Sequence, residues 1–182
     1  MVLFADRGRN CVSLCANCYQ NQWHCGLTTI IYIYLIALPI PMSSGSPAPA
    51  LSAGVKVSVY STYIPDQSSP NMNYFVHSYD ISIENHNSYP VQLLTRHWDV
   101  RDGDNHHVVD GDGVIGEQPV LAHGECFQYQ SGTVMSSRVG RMEGWYNFIN
   151  LVDQVGFQVT VPTFACDVPA PYLPTHVPAD AA

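Results

Sequence analysis

The chain has 182 residues, a formal charge of −8 and an isoelectric point near 5.2, with 46% hydrophobic and 12% charged residues. That length accommodates one ordinary domain with its own core plus flanking segments, and that composition excludes a disordered acidic chain. Lys56 is the only lysine, so no basic stripe exists to hold a nucleic acid.

The N-terminal segment differs in character from the remainder of the chain. Cys11, Cys15, Cys18 and Cys25 crowd together, with His24 beside the last. The Cys-x3-Cys-x2-Cys spacing resembles that of iron–sulfur radical enzymes, but such chemistry needs a far larger domain. A zinc site from these residues would depart from the usual paired spacings. Gly26 to Ile40 is an apolar run shorter than the ~20 residues of a spanning helix, so no stable membrane span is expected in the mature domain. With Arg7 and Arg9 ahead of it, the run fits a signal-type segment; alternatively, Met42 is the true start and everything before it an upstream extension. On both readings residues 1–54 form an N-terminal extension ending in a flexible Ser/Pro/Ala/Gly leader. The expected location is cytoplasmic, with organelle or secretory targeting if residues 1–41 are genuine.

From Val55 the pattern becomes that of strands. Val55, Val57 and Val59 alternate with Lys56, Ser58 and Tyr60, and Tyr79, Ile81 and Ile83 share one face of a second strand from Tyr74 to Glu84. Between them, Pro65 and Pro70 mark a loop. A third strand follows Pro90, with Leu94, Arg96, Trp98 and Val100 on one side and Leu93, Thr95, His97 and Asp99 on the other. Asp102 to Asn105 reverses the chain, and His106 to Val109 returns. Further short strands are expected at 119–121, 126–129, 134–135, 140–150 and 157–161, with Pro162 ending or bending the last. Thirteen glycines, thirteen prolines and eleven tyrosines agree with a β-rich domain. The expected fold class is all-β, a sandwich or barrel over 55–168, with a Pro-rich tail at 169–182.

Gly111-Asp-Gly113-Val-Ile-Gly116 is a Gly-x-Gly-x-x-Gly pattern. The dinucleotide version requires a helix to start at the loop, and Pro119 leaves no room for one. Asp110, Asp112 and Glu117 would also repel a phosphate. Two readings stay open: a backbone nest for an anion, and a glycine-rich sheet edge or bulge; the second is preferred. His106 and His107 are neighbours on a strand and point to opposite faces, so they do not share an ion. Cys126 and Cys166 read as core thiols. No catalytic residue and no metal-ligand set is identified. Arg96 reads as a paired or snorkelling strand arginine, or with His97 as part of a ligand-facing patch beside the glycines.

The run Gln92 to Trp98, then Gly111-x-Gly-Val-x-Gly-Glu-Gln-Pro119, Ser131-Gly-Thr133 and Gly140-x-Met-x-Gly144, resembles the ApaG domain family. Ser61-x-Tyr-Ile-Pro65 and Gln67-Ser68 fit its first strand and loop, so the likeness spans about 55–168. The resemblance implies an immunoglobulin- or fibronectin type III-like sandwich that acts as a binding module, and with no active site legible in the residues no enzymatic activity is expected. In bacteria such proteins are linked to cobalt tolerance and magnesium efflux, and elsewhere the domain is joined to interaction proteins such as F-box adaptors. A protein partner is therefore expected, its identity and the oligomeric state left open, together with a link to divalent-cation homeostasis. No cofactor is implied; a divalent cation would have no ligand cluster to hold it. The family's glycine motif has also been read as pyrophosphate-binding, so the alternative is a sensor of a nucleotide or polyphosphate. The candidate ligand- or partner-binding residues are Arg96, His97, Gly111, Gly113, Gly116 and Glu117.

Overall fold

Alternation of apolar and polar residues organises the described residues, 48–173 of the computed structural model, into nine strands and no α-helix. These are β1 (Ala50–Ser52), β2 (Val55–Tyr63), β3 (Phe75–Asn85), β4 (Val91–Asp102), β5 (Asn105–Asp112), β6 (Val120–Leu121), β7 (Cys126–Met135), β8 (Gly140–Asn150) and β9 (Gly156–Ala165). One antiparallel sheet runs β1-β2-β3-β7; the other runs β5-β4-β8-β9, with β6 pairing the first residues of β4. The all-β sandwich read from the sequence is the observed fold.

The two inner faces supply the core. Val55, Val57, Val59, Tyr79, Ile81 and Ile83 from the first sheet meet Trp98, Val100, Tyr146, Phe148, Val159 and Val161 from the second, all buried. Trp98 sits edge-on to Tyr146 and Phe164 of its own sheet and to Tyr79 opposite, with ring centroids 5.9–6.1 Å apart. A buried hydrogen bond of 2.6 Å between the hydroxyls of Tyr129 and Tyr146 ties the sheets together through polar groups that would otherwise be orphaned. Burial is the first cause pushing both phenols above their ordinary pKa, so they are neutral donors and acceptors.

The two sides of the sandwich differ. On one side β1 and β2 pack against β9 and close it. On the other, β7 and β5 are outer strands of their respective sheets and a cleft lies between them.

Several strand readings need correction. Leu93 is buried and Leu94 is not, the reverse of the expected faces, because β4 carries a β-bulge between Leu93 and Thr95. The extra residue moves the inward set to Arg96, Trp98 and Val100. The separate segments expected at 126–129 and 134–135 are one strand, since Ser131, Gly132 and Thr133 pair with Tyr79, Ser78 and His77. β5 runs on through Gly111 to Asp112. At the margins, Ala50–Ser52 of the expected leader pairs with β2, and Ala170–Tyr172 of the expected tail forms a 3-10 turn that brings Tyr172 to 5.4 Å from the Tyr63 ring. The cysteine-rich segment, the apolar run and residues beyond 173 lie outside the described residues.

Asp102 fastens the β7–β8 connection. Its carboxylate accepts hydrogen bonds from Ser136 N, Ser136 Oγ and Ser137 N, each 2.7 Å long. Desolvation alone would push its pKa up, but the bonds from Ser136 and Ser137 together outweigh it and hold the value below the ordinary 3.8. Folding thus favours the ionised form, so the stabilisation is complete above pH 3.8 and disappears as pH falls through the lower folded value. Asp102→Ala should cost about 2 kcal/mol at neutral pH by denaturant unfolding. The gap from the parent chain should narrow on acidification below the usual carboxyl range.

Candidate binding site

The glycine motif folds as a β-hairpin. Val114 and Glu117 exchange backbone hydrogen bonds of 2.8 and 2.9 Å, and the residues between them, Ile115 and Gly116, have φ of +46° and +83°. Left-handed backbone at both central positions is the hallmark of the tight hairpin turn that matches strand twist. Gly113 precedes it at φ +56°, where a Cβ would stand 2.1 Å from the Glu117 carbonyl oxygen. Its amide donates to the carbonyl of bulge residue Leu94 at 2.8 Å, and Gln118 Nε2 donates to the same oxygen. The amides of Gly113, Val114 and Glu117 are therefore engaged within the protein.

Gly111 has a different reason. The Arg96 guanidinium lies against it, and a Cβ there would fall 2.8 Å from Nη2. Arg96 Nη1 donates to the carbonyl oxygens of Asp112 (3.0 Å) and Gly113 (2.8 Å), so the hairpin orients the arginine. Arg96 lines the cleft of about 310 Å³ between β5 and β7, with Tyr79, Trp98, Val109, Ile115 and Ser131 among its walls.

Arg96 and His97 do not share a patch, because consecutive strand residues point to opposite faces. His97 lies on the outer face, stacked on Trp145 with ring centroids 3.7 Å apart, and its Nδ1 lies 2.6 Å from Asp110 Oδ1. The Glu117 side chain is exposed beyond the turn. His106 pairs with Asp99 on the outer face at 2.9 Å, while His107 borders the cleft, as opposite orientation requires. The cleft residues contributed by β7, Tyr129 and Ser131 to Val134, are not marked as a site by the sequence. Their one legible signal is the Ser131-Gly132-Thr133 run, which reads only as a family motif.

Other chemical groups are quiet. His77 is buried, with Nε2 3.3 Å from the Asp167 carbonyl oxygen, and burial lowers its pKa. Cys166 is buried and burial pushes its thiol up to about 12. Among the described residues no three His, Cys, Asp or Glu converge as a metal site, and no helix is long and apolar enough to cross a membrane.

Comparison with known proteins now bears on this geometry. The model of the ApaG domain matches residues 65–150. Protein ApaG of Pseudomonas aeruginosa is 44% identical over 116 residues, covering 63% of this chain and 91% of the relative. The chain belongs to the ApaG family. Protein ApaG of Enterobacter sp. strain 638 is likewise 44% identical over 119 residues, or 65% of this chain and 94% of that one. A crystal structure named as a putative ApaA protein from Bordetella pertussis superposes with a TM-score of 0.61 at 37% identity, covering 64% of this chain and 94% of that chain. The glycine hairpin and the arginine it orients thus lie within the ApaG domain itself, not in the flanking segments.

Two alanine substitutions test whether the glycines serve the backbone. Gly116→Ala meets no neighbour within 4 Å and should cost about 1 kcal/mol for its left-handed conformation alone. Gly113→Ala adds a collision with the Glu117 carbonyl and should cost about 3 kcal/mol, read from urea midpoints.

Proposed function

We propose that this chain is a non-enzymatic ApaG-type binding module that engages a protein partner across the open side of its sandwich. The observation that carries this is β7. It is a ten-residue outer strand, CFQYQSGTVM, without a charge or a proline. Such an edge lacks the devices that discourage pairing with another chain. Among the described residues, Phe127–Met135 make backbone hydrogen bonds only within their sheet, to β3. β7 also runs between the cleft and a second depression of about 440 Å³ on the outer face, walled by Ile64 and Tyr74. An added strand sends alternate side chains to opposite faces, so both hollows are positioned to receive them.

Support for a non-enzymatic role comes from the groups themselves: the Cys166 thiol is buried, and His97, stacked on Trp145 and paired with Asp110, has no nucleophile bonded to it among the described residues. A part in divalent-cation homeostasis would then run through the partner. The cytoplasm is the location that goes with this reading. A nucleotide or polyphosphate at the hairpin has weaker support, because three of the hairpin's amides are engaged within the protein and acids flank it.

Photo-crosslinking tests the reading. A benzophenone side chain placed at Gln130 or His107 should yield the same partner adduct in native extract, and one at Asp153, in the β8–β9 turn, should not. Adducts of one partner at Asp153 alone would overturn it.

A further inference from the structure

We propose that the cleft between β5 and β7 is a binding site for a single carboxylate carried on an apolar body. This rests on the open side being the working surface, and it names the chemistry recognised there.

The anchor is Arg96. A guanidinium carries a permanent positive charge and five N–H donors in a planar fork. Here Nη1 is committed to the carbonyl oxygens of Asp112 and Gly113, while among the described residues Nε and Nη2 have no hydrogen-bond partner. Nor does a carboxylate balance the charge: the ion pairs of the described residues use Lys56, His86, His97, Arg101 and His106, and Arg96 is in none of them. A partly buried arginine without an acid is costly unless something supplies one. The bulge at Leu94 turns it inward, Gly111 makes room for its plane, and two carbonyls fix its direction. That is a pre-organised fork at the wall of a cavity.

The rest of the cleft sets the ligand's character. Trp98, Val100, Val109, Val114 and Ile115 give an apolar lining, with Ser131 and Thr133 as polar points on β7. A cavity of about 310 Å³ is at the small end for an organic ligand or one or two side chains. Ile115 contributes while held at φ +46°, a conformation β-branched residues rarely adopt, so this wall is kept at a cost to the backbone. Charge decides between anions. One arginine neutralises one negative charge, whereas Asp110 and Asp112 lie on the opposite face of the adjoining strand and the chain carries −8 overall. A dianionic phosphate or a pyrophosphate would face that field with a single cation; a carboxylate matches it.

The test is isothermal titration of the full chain with 4-phenylbutyrate and with its neutral amide, and with the capped peptides acetyl-Val-Glu-Val-amide and acetyl-Val-Gln-Val-amide. At least one acid should bind saturably, and its neutral counterpart about tenfold more weakly or worse. Binding of the peptide alone would place the carboxylate on a polypeptide, and binding of phenylbutyrate alone on a free acid; both support the site. Arg96→Gln should abolish the preference for the acid, and Arg96→Lys should restore part of it. Equal affinity for acid and amide, or no binding of any acid, overturns the proposal, and this comparison holds even if Arg96→Gln fails to fold. Crosslinking at Gln130 that persists in Arg96→Gln, with no acid bound by the parent chain, would leave the open-side reading standing while the carboxylate site falls.

Discussion

A single extra residue in β4 determines which side chains this protein turns inward. Without the bulge at Leu94, the alternation that buries Val91 and Leu93 would continue through Thr95 and His97, and Trp98 would face solvent. With it, Arg96, Trp98 and Val100 face the opposing sheet, and His97 and Asp99 face out. The bulge also frees the Leu94 carbonyl to receive Gly113 N–H and the Gln118 side chain. The glycine hairpin is thus docked on the irregularity that turned Arg96 inward, and it returns two carbonyls to that same arginine. Bulge, hairpin and arginine form one mechanical unit.

That unit sits where the sandwich is open. Closure by β1 and β2 against β9 on one side leaves β5 and β7 apart on the other. There the Tyr129–Tyr146 hydroxyl pair bridges the sheets beside the cleft, and Trp98 fills the space behind it. One buried hydrogen bond thus joins the sheets at the opening, with apolar packing behind it.

Much of this is legible in the sequence, for reasons that differ by element. Strands β2, β3 and β8 bury one face against the opposing sheet, so their aliphatic and aromatic residues recur with a period of two. The bulge is not legible, because an unpaired residue is defined by what the neighbouring strand offers, and Leu93 and Leu94 are chemically alike. β7 reads as two pieces because Ser131, Gly132 and Thr133 look like a break, whereas pairing with β3 carries the strand through them. β1 is hidden in a Ser/Pro/Ala segment whose three residues contribute backbone pairing to β2, with no side-chain pattern to mark it. For the glycines the general expectation is bends in preference to an anion cradle. It does not distinguish Gly111, which clears space for Arg96, from Gly113 and Gly116, which turn the chain. Grouping Arg96 with His97 fails because adjacency in a strand separates side chains.

Amide hydrogen exchange monitored by nuclear magnetic resonance, with and without pyrophosphate, tests whether the glycine hairpin is scaffold. A scaffold gives slow exchange at Gly113, Val114 and Glu117, whose amides are bonded within the protein, and no saturable shift of the hairpin resonances on adding pyrophosphate. Fast exchange at these three amides, with saturable shifts across Gly111 to Gly116, would contradict it.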